Sequence, residues 1–229
     1  IKKPSDYFNT KLYTGTGSAT SITGVGFQPD WVWIKKRNGT TSHTVTDSVR
    51  GVNKQLFTNE VEAEESYTSV LTAFDSDGFS LSTAGLINAS SDTYASWNWL
   101  ANGAGSANTD GATASTVSAN TTAGFSIVKY TGAGATTYGH GLGATPNMII
   151  IKKLNSADDW FVYHHTLLTP SATQKQFILL NSTSAFASNG SATTFTSVSN
   201  STFGVGTDDK ISESGDSFIA YCFAEKQGY

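Results

Sequence analysis

The sequence contains little of several residue types, and each shortage excludes a class of protein. Its single cysteine, Cys222, cannot form an intramolecular disulfide or a cysteine-based zinc site, so we expect stability to come from packing. Charged residues make up 14% of the chain, against about 25% in an average soluble domain. The net charge of −4 gives no basic surface for nucleic acid or an acidic membrane. No stretch approaches the roughly 20 apolar residues of a membrane-spanning helix, and no signal-peptide core follows the N-terminus.

Strong helix formers are also scarce, whereas β-branched, aromatic and turn-forming residues are plentiful. Apolar and polar residues alternate over short segments, and turn residues recur about every 8–12 residues, which is typical of β-sandwiches and jelly rolls. We therefore predict an all-β protein with sandwich-like, jelly-roll-like modules. The one helix candidate is Asn59–Glu65, because an asparagine cap followed by acidic residues suits a helix N-terminus.

Two blocks of the sequence occur twice. Residues 13–36 reappear as residues 130–153 at a constant offset of 117, without a gap. Residues 79–99 reappear as residues 203–223 at an offset of 124. Two blocks in the same order, with seven residues inserted between them, indicate a duplicated unit of about 100 residues.

The repeat sets the predicted domain boundaries. We expect a first β-sandwich module over residues 7–101 and a second over residues 123–229. Residues 102–122 form the linker, which begins with small polar residues but includes a segment that could add a bridging strand. Strands are predicted near 7–14, 19–24, 30–37, 42–48, 69–74, 79–83 and 93–101 in the first module, and near 124–131, 136–140, 147–153, 159–164, 175–181, 202–207 and 217–225 in the second.

Four short motifs carry a resemblance to a known family. They are GVGFQPD at 24–30, DSVRG at 47–51, FDSDGF at 74–79 and HGLG at 140–143. With the strands around them, they resemble an uncharacterised duplicated domain found in tail-associated proteins of marine bacteriophages, including phages of cyanobacteria. The resemblance extends over nearly the whole chain and supplies no catalytic residue.

This resemblance implies a location more than a chemistry. It implies a virion protein in a tail fibre, spike or appendage that is extracellular when it acts, forms a homotrimer and contacts other tail proteins. We expect a non-enzymatic structural role with host recognition through carbohydrate binding, and no nucleic-acid partner, membrane insertion or cofactor. Two alternatives stay open: a polysaccharide depolymerase of a tail spike, and a purely structural spacer. We also expect the chain to be part of a longer polypeptide.

The paired tryptophans are the first ligand candidates. Trp31 and Trp33 lie two apart on one predicted strand, and Trp97 and Trp99 on another, so each pair projects to one face. Stacking on sugar rings is one interpretation. Packing is the favoured one, because the repeated copy retains bulk at these positions without always retaining an aromatic ring. Trp160 is then an equal candidate for ligand contact.

The ligand-binding residues predicted from the sequence lie near Trp160 and at the ends of the central strands. Tyr163 and His164 follow Trp160 on the same predicted strand. Lys35 and Lys152 belong to the most basic segments, where contact with an anionic glycan competes with salt bridging or edge protection.

No other group indicates catalysis or metal binding. His164 and His165 are adjacent on a strand and point to opposite faces, so they cannot chelate one ion together. The Asp75–Gly78 segment has part of a calcium-loop rhythm but fits a β-turn better. Asp92 and Asp216 precede the last strand of each module and are interpreted as caps that accept backbone N–H groups. No carboxylate pair stands apart from turn chemistry, and Cys222 is expected to be a buried small residue.

Overall fold

The computed structural model describes residues 3–186 and 192–228. Antiparallel strands dominate these residues, together with two four-residue helices and one short 3₁₀ turn at Pro4–Asp6. The prediction of an all-β fold is confirmed. No helix in the described part of the chain is long and apolar enough to span a membrane.

The elements follow one another in two similar series. The first half contains β1 (Phe8–Thr14), β2 (Thr20–Thr23), β3 (Trp31–Lys36), β4 (Thr44–Asp47), β5 (Lys54–Phe57), β6 (Glu65–Ser66), β7 (Leu71–Asp75), β8 (Gly78–Leu81), α1 (Gly85–Asn88) and β9 (Thr93–Trp99). The second half contains β10 (Ser106–Asn108), β11 (Ser115–Asn120), β12 (Phe125–Thr131), β13 (Thr136–Gly139), β14 (Pro146–Lys153), β15 (Phe161–His164), β16 (Ile178–Leu179), β17 (Phe195–Val198), β18 (Thr202–Val205), α2 (Asp209–Ser212) and β19 (Ser217–Ala224).

Each half has one large sheet and one three-stranded sheet. In the first half the strand orders are β1-β9-β3-β4-β5-β6 and β2-β8-β7, so the first strand pairs with the last and the second with the next to last, a jelly-roll-like nesting. In the second half they are β10-β11-β12-β19-β14-β15-β16 and β13-β18-β17. The run β1-β9-β3-β4-β5 of the first large sheet therefore corresponds, strand by strand, to the run β12-β19-β14-β15-β16 of the second. An origin by duplication stays a prediction.

The apolar residues form three cores between four layers of sheet. Successive side chains of a strand point to opposite faces of the sheet, so neighbouring residues of one strand pack into two different cores. On β14, Ile149 and Ile151 face the three-stranded sheet of the second half, whereas Ile150 faces the first half. The two large sheets thus pack against each other through a central core. Its members include Trp31, Val45 and Leu56 from the first half, and Phe125, Ile150, Trp160, Ile219 and Tyr221 from the second.

Corresponding contacts recur in the two halves. The Tyr13 hydroxyl donates to the Ile87 carbonyl at 2.7 Å, and the Tyr130 hydroxyl donates to the Ile211 carbonyl at 2.8 Å. Each bond fixes a short helix against the large sheet. These two helices were not expected from the sequence, because four residues are too few to produce a helical period.

Ion pairs hold the start of the last strand in each half. Lys36 pairs with Asp92, which also accepts from Asn38, and Lys153 pairs with Asp216. Salt bridging is therefore the role of these two lysines. The expectation that the two aspartate side chains cap backbone N–H groups is wrong, since the carboxylates accept from lysine and asparagine side chains instead.

Acid should weaken the Asp216 ion pair. The hydrogen bond from Lys153 is the main cause that lowers the pKa of Asp216 below 3.8. Such a group stabilises the folded state above its unfolded pKa, and the contribution is lost as pH falls through the folded pKa. Asp216→Asn should therefore unfold at lower urea concentration than the wild type near neutral pH, and the difference should shrink between about pH 5 and pH 3. Urea titrations across pH measure this, with the exposed Glu213→Gln as control. A difference that does not change with pH would refute the expectation.

Several segments differ from the sequence predictions. The Asn59–Glu65 helix is wrong: residues 61–64 are irregular, and β6 begins at Glu65. The Glu64 N–H donates to the Leu154 carbonyl and the Asp158 N–H donates to the Val61 carbonyl, so contacts with the second half determine this backbone. The strands β5, β6, β10 and β17 were not predicted.

The segment between the halves is anchored to both. The buried Asp30 carboxylate accepts from the N–H groups of Ala101 and Gly103 at 2.8 and 3.1 Å. The Asn102 N–H donates to the Ser118 hydroxyl on β11. Strand β11 then pairs with β12 along its whole length. The segment considered for a bridging strand is therefore an integral part of the second large sheet.

Candidate functional site

A cleft lined by tryptophans lies between the two halves. Three depressions of about 320, 140 and 220 Å³ adjoin along it. Trp33 lines the first and second, and Trp99 lines the second and third, so neighbouring depressions share a tryptophan and we treat the three as one surface. We call it the tryptophan cleft. Its lining residues are Trp33, Trp97 and Trp99, with His43, Thr58, Asn59 and Leu180–Thr183 at one end and Ala123–Phe125 and Phe223–Lys226 at the other.

Strand register brings the tryptophans together. Trp33 pairs with Trp97, and Trp31 pairs with Trp99, across β3 and β9. The four rings therefore share one face of the first large sheet. Tyr221 from the second half covers Trp31 at a centroid distance of 4.5 Å, whereas the other three rings stay half-buried. The packing interpretation is confirmed for Trp31, while Trp33, Trp97 and Trp99 each present part of their surface to the cleft.

Polar groups surround the wide end of the cleft. Asn59 accepts from the His43 N–H at 2.7 Å, and Asn181 accepts from the Trp160 N–H at 3.0 Å. Burial, followed by the nearby charge of Lys35, lowers the pKa of His43 below 6.5. The imidazole is therefore neutral near pH 7 and offers both a donor and an acceptor.

Two polar atoms at the same end have no hydrogen-bond partner in the described part of the chain. They are Nε1 of Trp33 and Oγ1 of Thr58, and both are shielded from solvent. An unpaired buried polar atom costs about 1–3 kcal/mol. Both atoms lie beneath the lining of the cleft, so a polar ligand at this end could pair with them once a neighbouring side chain shifts.

Three of the predicted ligand residues lie in the interior and cannot touch a ligand at the surface. Trp160 is 0% exposed, lies in the central core and donates its Nε1–H to the Phe57 carbonyl at 2.9 Å. Tyr163 lies in the core of the second half. These positions correct the sequence interpretation: Trp160 and Tyr163 stabilise the fold.

Lys152 is the third interior residue. Its side chain is fully buried, and its ammonium donates to the carbonyls of Val61 and Asp158 at 3.0 and 2.9 Å. Burial lowers its pKa to about 8. The expected glycan contact of Lys152 does not fit this position, because the charge serves to join a loop of the first half to one of the second.

The other two predicted residues are half-buried. Lys35 lies two residues beyond Trp33 on the same face of β3, and its ammonium donates to the carbonyls of Lys36 and Gly39. His164 Nδ1 lies 2.8 Å from the Thr166 hydroxyl. A ligand contact by Lys35 or His164 stays a prediction.

The cleft residues that the sequence interpretation missed come from separate loops. His43 and Asn59 belong to the first half, while Asn181–Thr183 belong to the second. Trp33 was already a candidate in the sequence, because its spacing of two from Trp31 on a predicted strand made the pair visible. The polar loop residues carried no comparable signal.

The remaining reactive groups have structural roles. Cys222 is buried, as expected. Asp77 lies in the turn between β7 and β8, and its carboxylate accepts from the N–H groups of Gly24 and Gly26. Within residues 3–186 and 192–228, no group of three or more His, Cys, Asp or Glu residues could hold a metal ion.

The chain matches a protein-family model. A family model described as a domain of unknown function, DUF7483, matches residues 3–229. No curated protein and no solved structure matches the chain. Because the match extends over nearly the whole sequence, the chain belongs to the DUF7483 family.

Proposed function

We propose that the protein is a non-enzymatic part of a phage tail fibre or appendage and binds carbohydrate on the host surface through the tryptophan cleft. The observation that carries the binding proposal is the cleft itself, in which half-buried indole rings adjoin unpaired polar atoms. The tail context is supported by the resemblance of the four short motifs to phage tail-associated domains.

The chemistry of the cleft suits a sugar. A pyranose ring has apolar C–H faces, which pack against indole rings, and hydroxyl groups around its edge, which need hydrogen bonds. The rings of Trp33 and Trp97 have centroids 6.1 Å apart and planes inclined by 60°, so each ring offers a separate apolar face to a sugar. His43, Asn59 and Asn181 supply neutral donors and acceptors beside it. A neutral or weakly charged glycan therefore fits better than a strongly anionic one.

The carboxylates favour binding over hydrolysis. A glycosidase uses two carboxyl groups about 5–9.5 Å apart that flank the scissile bond. Glu225 is the one carboxylate among the described residues that line the cleft. Asp47, Asp92 and Asp216 are engaged in ion pairs elsewhere. The depolymerase alternative would therefore need a catalytic acid from outside this surface.

Substitution of the cleft tryptophans tests the proposal. Trp33→Ala and Trp97→Ala should each weaken binding to host polysaccharide by about tenfold or more, as loss of a central aromatic contact usually does. Glycan arrays identify the sugar, and titration calorimetry measures the affinity. Tyr67→Ala is the matched control, because Tyr67 is an exposed aromatic residue that does not line the cleft.

Three results would contradict the proposal. Binding that survives both tryptophan substitutions would place the glycan site elsewhere. No binding to any host glycan, together with normal adsorption of phage that carry Trp97→Ala, would favour the spacer alternative. Release of oligosaccharide products by the wild type would favour the depolymerase.

Antibody labelling of phage particles in the electron microscope tests the tail location, and light scattering of the purified protein tests the proposed trimer.

A further inference from the structure

A second pocket lies in the first half, away from the tryptophan cleft. It has a volume of about 290 Å³ and opens beside the edge of the first large sheet. Strand β5, residues 67–70 and the region of α1 form its walls. We call it the Gln55 pocket. Its lining residues are Gln55, Phe57, Tyr67, Ser69, Val70 and Ala84–Leu86.

The Gln55 side chain gives this pocket a buried polar wall. Gln55 is 1% exposed, and its Nε2 donates to the Thr44 hydroxyl at 3.0 Å. Its Oε1 has no hydrogen-bond partner in the described part of the chain. If the amide were turned by 180°, the other amide atom would be left unpaired. Either way, one polar atom of a buried amide in the pocket wall lacks a hydrogen bond, which costs about 1–3 kcal/mol.

The second half shows that the fold does not need this polar pair. Thr44 lies opposite Phe57 and Val45 opposite Leu56, as Phe161 lies opposite Leu179 and Val162 opposite Ile178. By this register, Thr44 corresponds to Phe161, and Gln55 corresponds to Phe177.

Phe161 and Phe177 form an apolar contact in place of the polar pair. Their ring centroids are 5.0 Å apart, and both residues pack against the core of the second half. At this position the first half has a buried polar pair with one hydrogen bond unmade. The second half has the same sheet order with an apolar pair, so the fold does not require the polar one. Such a polar pair is expected where a bound ligand supplies the missing hydrogen bond.

The walls of the pocket define the class of ligand. Phe57, Val70 and Leu86 are apolar, and none of the described residues that line the pocket is charged. A volume of about 290 Å³ lies at the small end of ligand pockets. We propose that the Gln55 pocket binds a small uncharged molecule that consists of one apolar ring with a hydroxyl group, and that the hydroxyl pairs with the Gln55 amide. A hydroxyl both donates and accepts, so it satisfies the amide in either orientation.

Phenol and toluene form the decisive pair of probes. They have nearly the same shape, but only phenol carries a hydroxyl group. In NMR titrations of the wild type, phenol should bind about tenfold more tightly than toluene, the effect of one buried hydrogen bond. The shifted resonances should be those of residues around Val70 and Leu86. Equal affinity of the two probes, absence of binding, or shifts confined to other surfaces would overturn the proposal.

Two variants separate ligand binding from a structural role of Gln55. Gln55→Met retains the length of the side chain without the amide, and should abolish the preference for phenol. Thr44→Phe combined with Gln55→Phe copies the second half, fills the pocket and should abolish binding of both probes. Far-UV circular dichroism verifies that each variant folds, and Gln174→Met, on the exposed surface, is the control. A preference for phenol that persists in a folded Gln55→Met or double variant would refute the assignment.

The Gln55 pocket and the tryptophan cleft can be tested independently. Trp33 does not line the Gln55 pocket. Trp33→Ala should therefore bind phenol with the affinity of the wild type, whatever its effect on glycan binding. Loss of phenol binding in Trp33→Ala would place the probe in the cleft and contradict the proposal.

Discussion

Replacement of Asp47 by alanine is expected to lower the free energy of unfolding by about 3–5 kcal/mol, because it leaves a buried charge without its partner. The Asp47 carboxylate accepts from Nε of Arg50 and from the Tyr221 hydroxyl, at 2.5 and 2.8 Å, and from two backbone N–H groups. Asp47 and Arg50 are both buried. Burial acts to lower the pKa of Arg50, but the charges of Asp47 and Glu64 outweigh it and raise that pKa, so the guanidinium stays charged.

This network also joins the two halves. Asp47 and Arg50 belong to the first half, whereas Tyr221 lies on β19 of the second. Removal of the carboxylate would therefore weaken both the turn after β4 and the contact between the large sheets. We expect the two halves of Asp47→Ala to lose cooperativity, which a comparison of tryptophan fluorescence with circular dichroism during urea unfolding would reveal as non-coincident transitions.

Two variants serve as controls for Asp47→Ala. His164 occupies the position that corresponds to Asp47 in the second half, is half-buried and pairs with no acid among residues 3–186 and 192–228. His164→Ala should therefore cost much less. Asp47→Leu combined with Arg50→Met removes both charges, and Glu64 retains its ion pair with Lys54. This double variant should be more stable than Asp47→Ala. If the two are equally unstable, shape rather than charge pairing determines the effect.

The strands of this fold could be predicted wherever alternation and turn residues were both strong. The predicted strand near 93–101 corresponds to β9 and the one near 147–153 to β14, with ends within about two residues. Strands such as β10 and β17 carried too few apolar residues for a period to be visible. The Asn59–Glu65 helix failed because its pattern was local, while Leu154 and Asp158 in the second half determine the backbone there.

The site was harder to predict than the strands, because it depends on how the two large sheets face each other. Alternation indicates that Trp31 and Trp33 share a face, but it does not indicate which ring the second half covers. Trp160 was expected to be accessible, yet it fills the central core. The wide end of the cleft combines Asn59 with Asn181, and no pattern in a single sequence places two such distant loops side by side.

Trp31→Ala is expected to lower the free energy of unfolding by about 3–5 kcal/mol, the usual cost of a large cavity in a core. Trp31 is 1% exposed, and aromatic rings from both halves surround it. Its ring centroid lies 4.3 Å from that of Trp99, 4.5 Å from Tyr221 and 5.6 Å from Phe125. Urea titration followed by far-UV circular dichroism measures the loss without dependence on the deleted fluorophore.

Met148 provides the matched control, because it occupies the position of Trp31 in the second half and is only half-buried. Met148→Ala should therefore cost clearly less. Trp31→Phe separates two contributions: it retains an aromatic ring in the cluster and removes the Trp31 Nε1–H, which has no partner in the described part of the chain. Since that N–H contributes no hydrogen bond, Trp31→Phe should also be much milder than Trp31→Ala. An equal loss of stability in Trp31→Phe and Trp31→Ala would contradict this expectation. The indole N–H would then have to form a hydrogen bond that stabilises the fold, and aromatic contacts alone would not account for the stability of the central core.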